Sequence, residues 1–239
     1  VAGLIAYKQG DYATARDIAG QLGRLHAETH DEIGSADALN LLGVIATGDG
    51  SYGEARDLLE RAKSMRERIG DEVGVQVSTH NLGLLALNQG DYKHALPALE
   101  EALAIAEKHE WDTYIANSLC DLGFAELGEE RFDQARAHFA AGLEDALRMG
   151  WRENVAYCLV GFSSVDLAKG RLDRAAHSLG QVDRIVEDTH LIFEIYAERE
   201  RERVERELRA HLGPDGFEVL RAEGRSLSIE QAVAEALEP

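Results

Sequence analysis

Apolar residues in this chain fall into two helical stripes that return every 40 residues. The clearest copy runs from Asp71 to Glu110. One apolar stretch holds Leu82 and Gly83, a break follows at Gly90-Asp91-Tyr92, and a second stretch holds Ala95 and Leu99. Moved by 40 residues, the landmarks come back. The glycine recurs as Gly3, Gly43, Gly83 and Gly123, with Ser163 in fifth place. The aromatic after the break recurs as Tyr12, Tyr52, Tyr92 and Phe132, then Leu172. The alanine behind it recurs at Ala15, Ala55, Ala95, Ala135 and Ala175. Self-similarity at a fixed period marks an array in which each unit buries its apolar face on its neighbours.

Each copy predicts two helices, in the clearest case over 71–88 and 91–109, joined by a short turn. Gly10, Gly50, Gly90 and Gly170 can take the left-handed conformation that ends the first helix. Asp11, Ser51 and Asp91 are then placed to cap the second through a side-chain oxygen. Glu130 and Arg131 break that pattern, so the fourth turn is expected to be less well capped. Gly70-Asp71 and Gly150-Trp151-Arg152 mark turns between copies, and Trp111 and Trp151 are expected to plug equivalent corners. The glycine and alanine landmarks stay 12 residues apart in all five copies. A residue without bulk lets two helices approach, with the small alanine facing it.

After Leu191 the period fails: Arg203 falls where the small residue belongs, and Asp215 where the alanine belongs. Glu198-Arg199-Glu200-Arg201-Glu202-Arg203 alternates charge, as a solvated helix face does, with Val204, Leu208 and Leu212 as an apolar stripe behind it. Two short helices follow, Pro214–Glu223 stopped by Gly224, and Ile229–Leu237 capped by Ser228 with Gln231 at the capping-box position. The expected organisation is a repeat array over 1–190 and a degenerate repeat with capping helices over 191–239. Val1 is not methionine and Gly3 already holds the landmark position, so the first repeat is read as truncated and the chain as cut from a longer one.

Composition narrows the partners. With 25 Lys and Arg against 44 Asp and Glu, the net charge of −19 repels phosphate backbones and anionic lipid. Nucleic acid and membrane are therefore not expected as direct partners. Cys120 and Cys158 form no CxxC, which fits a reducing compartment. No run of about 18 apolar residues is long enough to span a bilayer, so a cytoplasmic protein is expected.

The landmarks resemble the tetratricopeptide repeat, W-x2-L-G-x2-Y followed by A-x3-F. The second copy reads Leu39-x2-Leu42-Gly43-x2-Ala46, then Ala55-x3-Leu59. The fourth reads Leu119-x2-Leu122-Gly123, then Ala135-x3-Phe139. The usual unit has about 34 residues, so the extra length falls at the end of the second helix and the start of the next first helix. HEAT repeats also reach about 40 residues, but usually carry a helix-kinking proline that these units lack. The resemblance implies an all-α, right-handed superhelical solenoid of antiparallel helix pairs, about five repeats closed by a C-terminal helical cap. The tail, Phe217 to Arg225 followed by Leu227-Ser228-Ile229-Glu230-Gln231-Ala232, is similar to the extreme C-terminus of bacterial STAND-type, LuxR- or AfsR-like transcriptional regulators. That second resemblance implies a non-catalytic interaction or sensor module, with ATPase and output domains upstream in the same chain as partners. A small-molecule inducer sensor and a self-association scaffold are the alternatives.

Other motifs carry little chemistry. Gly48-Asp49-Gly50-Ser51-Tyr52-Gly53 matches G-x-G-x-x-G, but a dinucleotide site needs a strand before it; this one is read as a turn. His26 and His30 stand four apart without the glutamate of a metalloprotease helix and are read as solvated. Cys120 and Cys158 are read as buried small hydrophobes. No catalytic residue, cofactor or metal site is expected.

The candidate site is a groove on the first helices, taking a protein or peptide. Three before, one after and four after the landmark glycine make one helical stripe. It holds Asn40, Val44 and Thr47; His80, Leu84 and Leu87; Cys120, Phe124 and Leu127; and Val160, Ser164 and Leu167, with Asn117 and Tyr157 beside it. Amide and imidazole groups among apolar side chains suit a peptide backbone with one buried side chain. The alternative is that Leu84, Leu87, Phe124 and Leu127 pack between helices as core.

Overall fold

A computed structural model describes residues 2–238. Twelve helices and no strand occur among the described residues. They are α1 Ala2–Lys8, α2 Tyr12–Glu28, α3 Glu32–Gly48, α4 Tyr52–Ile69, α5 Glu72–Gln89, α6 Tyr92–Lys108, α7 Asp112–Gly128, α8 Phe132–Met149, α9 Arg152–Ala168, α10 Leu172–Thr189, α11 Ile195–Ser226 and α12 Ile229–Leu237. The chain forms two compact units, Val1–His109 and Glu110–Pro239. Within each, consecutive helices pack as hairpins, each hairpin packs on the next, and first helices touch first helices. This is the all-α, solenoid-type stacking expected from the period.

The turns follow the expectation in part. Gly10, Gly50, Gly90 and Gly170 all have left-handed φ, between 71° and 83°. Glu130 takes the same conformation without being glycine, and Arg131 after it makes no side-chain cap. Asp11 caps α2 by accepting from the Thr14 N–H at 3.0 Å. Ser51 and Asp91 do not cap. Asp91 turns to His94 Nδ1 at 2.7 Å, and at the second turn Asp49 Oδ1 accepts from the Ser51 N–H at 3.0 Å. Two caps lie instead at the turns between hairpins. Asp31 accepts from the Gly34 N–H at 2.9 Å and Asp71 from the Gly74 N–H at 3.0 Å. One proline does stand inside a repeat helix, Pro97 in α6, but its 40-residue equivalents are Asp57, Ala137 and His177, so it is not a repeat feature.

The landmark glycine makes room for a different residue from the one expected. A Cβ on Gly43 would meet Leu59 Cγ at 2.6 Å, one on Gly83 would meet Leu99 at 2.6 Å, and one on Gly123 would meet Phe139 Cε1 at 2.5 Å. The alanine lets the backbones approach; the residue four positions after it fills the glycine's gap. Leu59, Leu99 and Phe139 are accordingly fully buried.

A second periodic contact joins the open end of each hairpin. Glu32 meets Arg68 at 3.1 Å, Glu72 meets Lys108 at 2.9 Å, and Asp112 meets Arg148 at 3.0 Å. In the next hairpin the signs are exchanged, Arg152 meeting Asp188 at 2.6 Å. A pair tying the start of one helix to the end of its partner requires the two to run antiparallel. Each pair is exposed and contributes little alone.

The tail departs from the predicted helices at one point. α11 kinks at Gly213, where φ is 72° and ψ 158°, and then continues through Gly224 to Ser226. Gly224 is not a stop. It lies against the backbone of His177 in α10, while Gly180 of α10 lies against the backbone of Arg221. The two helices cross glycine to glycine. Val204, Leu208 and Phe217 bury themselves on Ala175, Ala176 and Leu179. Ser228 and Gln231 form the expected capping box on α12.

Candidate partner-binding face

The two units treat the first-helix stripe differently. In the first, Asn40 and Val44 on α3 and His80 and Leu84 on α5 are half-buried, whereas Thr47 and Leu87 are buried. Asn40 Oδ1 accepts from Asn81 Nδ2 at 3.1 Å and from Ser78 Oγ at 3.3 Å, which holds its side chain across the α3–α5 seam. Ser78 Oγ accepts in turn from Arg66 Nη1 at 2.8 Å.

In the second unit most of the stripe is core. Cys120, Phe124, Val160 and Ser164 are at most 4% exposed, so these four expected groove residues offer no surface. For Phe124 and Ser164 the reason lies in residues 193–200, whose side chains reach α7 and α9. Tyr196 packs edge-on against Phe124 with ring centroids 5.2 Å apart and donates its hydroxyl hydrogen to Asp121. Ser164 Oγ donates to Glu200 Oε1 at 2.6 Å. Asn117 and Tyr157 stay half-buried but are engaged. Asn117 accepts from Asn154 Nδ2 at 3.1 Å; the Tyr157 hydroxyl accepts from the Glu194 N–H at 2.9 Å, and its ring packs on Phe193. Burial drives the Tyr157 and Tyr196 hydroxyls far above the ordinary phenol range, so both stay protonated. Sequence reasoning missed this because the covering residues lie where the period has failed.

Cys120 and Cys158 are free and buried, and burial pushes the Cys120 thiol up, away from thiolate chemistry. His26 and His30 do not share a helix face, because α2 ends at Glu28 and His30 has a left-handed φ of 55°. His26 instead pairs with Asp31 at 2.8 Å.

That pair explains the inter-hairpin corners. Arg66, 40 residues on, is 4% exposed and sits over Gly74, with Nη1 donating to the Gly74 carbonyl at 2.9 Å, Nε 3.7 Å from Asp71, and Asp37 as a further partner. His26 with Asp31 and Gly34 repeats the arrangement. In the second unit the same positions hold Ala146, Trp151 and Asn154. A basic side chain over a glycine has been exchanged for an alanine, with tryptophan in place of the aspartate.

The family model for the tetratricopeptide repeat matches residues 34–108, which run from α3 through α6. Those two hairpins are the ones that carry Asn40, Val44, His80 and Leu84. Tetratricopeptide repeats generally mediate protein–protein interaction and are generally non-catalytic scaffolds. No curated protein matches the chain. No helix among the described residues is long and apolar enough to cross a membrane.

Proposed function

We propose that the chain is a non-catalytic module that binds an extended peptide or protein segment on the first-helix face of its first unit. The observation that carries this reading is the contrast within one periodic stripe. Asn40, Val44, His80 and Leu84 remain partly exposed in the hairpins that match the family model, while their equivalents in the second unit are covered by the chain itself. The site is therefore narrower than the periodic stripe. It offers two apolar side chains, an amide and an imidazole, and no Lys or Arg to clamp a carboxylate.

The test is a peptide selection on the whole chain followed by calorimetry. Selected peptides should lose at least about tenfold in affinity on Val44→Arg or Leu84→Arg, with the melting temperature unchanged. Peptides indifferent to both substitutions remove the assignment.

We further infer that the module belongs to a STAND-type regulator, on the tail from Phe217 to Ala232, and that residues 191–239 serve there to close the array. A P-loop and a DNA-binding or other output motif encoded upstream in the same reading frame would support that context. A frame without them would remove it.

A further inference from the structure

The second unit carries a built receptor for the end of a helix. Asp166 of α9 is fully buried, with Arg171 Nη2 at 2.8 Å and Arg174 Nε at 3.5 Å. Arg136 of α8 lies over the Phe162 ring, 5.2 Å from its centroid. Within α8, α9 and α10 alone, Arg171 and Arg174 pair with Asp166 and Arg136 stacks on Phe162. What they face is the C-terminal end of α12. Arg136 Nη1 and Arg174 Nη2 donate to the Ala236 carbonyl at 2.9 and 3.2 Å, and both arginines also reach the Glu238 carbonyl. His177 Nδ1 meets the Glu235 carboxylate at 2.9 Å. The last carbonyls of a helix lack intrahelical partners and carry the negative end of its dipole, so cations are what they bind best. In a chain of net charge −19, three guanidinium groups around one carboxylate are a local exception.

The occupant is lightly held otherwise. α12 has nine residues, shorter than a helix that persists alone in water, and buries only Ala232, Val233 and Ala236. Its pivot is fixed: the Leu227 carbonyl accepts from Gln181 Nε2 at 2.6 Å and from Arg184 Nη1 at 2.8 Å. Leu227 is thus anchored on α10, and beyond it α12 is held by those three buried side chains and the clamp.

We propose that Arg136, Arg174 and His177 form a helix-end receptor that α12 fills as a displaceable internal ligand. A helix of the same chemistry from another molecule can take its place: small residues on one face, an acid opposite His177, and bare carbonyls at its end.

The experiment uses the full chain with Ala232→Glu and Ala236→Glu, which turn the buried face of α12 against the site and leave the receptor intact. A labelled peptide of residues 227–239 should bind this open variant saturably. Wild type, already filled in cis, should bind it at least about tenfold more weakly. Adding Arg174→Glu to the open variant should abolish binding. A cooperatively melting open variant that ignores the peptide, or binds it equally well with Arg174→Glu, overturns the proposal. Should the open variant not fold, amide exchange on the wild-type chain decides. Amides 230–238 exchanging by a local opening, with α9 and α10 still protected, support the receptor; exchange of α12 only on global unfolding overturns it.

Discussion

Phe139 and Gly161 occupy one volume: a Cβ on Gly161 would fall inside the van der Waals surface of the Phe139 ring, which also fills the gap left by Gly123. One aromatic side chain on α8 thus locks α7 on one side and α9 on the other. Gly161→Ala should cost about 2–3 kcal/mol by overpacking. Phe139→Leu should cost roughly 1 kcal/mol through lost contact. Combined, the two should be less damaging than their sum, because the smaller ring partner makes room for the added methyl. Urea denaturation of the four proteins checks this; strict additivity contradicts the shared volume.

The crossing of α10 and α11 should respond more severely. At Gly180 and Gly224 the obstacle is the backbone of Arg221 and His177, which cannot rotate away as a ring can. Gly180→Ala is expected to separate the second half of α11 from α10, with a cost above about 3 kcal/mol. Amide exchange should show 214–226 losing protection first. A cost equal to or below that of Gly161→Ala would contradict the backbone contact.

The inter-hairpin corner should be transferable as a set. Arg66→Ala alone removes a buried side chain and its hydrogen bonds to the Gly74 carbonyl and Ser78, and is expected to cost about 2 kcal/mol. Arg66→Ala with Asp71→Trp and Gly74→Asn installs the residues found at 146, 151 and 154. That triple variant should recover a large part of the loss, read as a melting temperature between those of the single variant and wild type. A triple variant less stable than Arg66→Ala would show that the two corners are not equivalent.

Acid stability should carry two opposed contributions. Asp11 and Asp31 are held below the usual carboxylate range, foremost by the backbone N–H groups of Thr14 and Gly34. The unfolded chain therefore binds their protons first, so their contribution is present above about pH 4 and is lost as pH falls through the folded values. Asp166 has the opposite sign. Burial raises it despite Arg174, Arg171 and Arg136, so just above pH 4 the folded chain holds the extra proton and gains stability on acidification. Asp166→Asn should therefore make the fall in stability between pH 6 and 4 steeper than in wild type. An unchanged slope in chemical denaturation across that range contradicts the raised value.

Much of the fold was legible from residues near one another in sequence. The period, the left-handed turn glycines, the capping box at Ser228 and the helix limits follow from local backbone preference and from apolar spacing, which a single copy displays. The salt bridges closing each hairpin, Glu32 with Arg68 and its successors, repeat at the same period and were readable in principle, but acids and bases this numerous conceal any one pair. Gly224 misled for a physical reason: its lack of a side chain serves a helix crossing with Gly180, not a helix end.

What the sequence determined by itself is the stacking of helix pairs, because each pair's apolar stripes can be buried only against the next. What only the tertiary structure decided is which copies of a stripe face outward. Val44 and Leu84 keep part of their surface, while Phe124 and Ser164, at the same register, are core, because Tyr196 and Glu200 arrive from residues outside the period to cover them. Burial of that kind depends on contacts some 70 residues apart along the chain, and no local pattern encodes it.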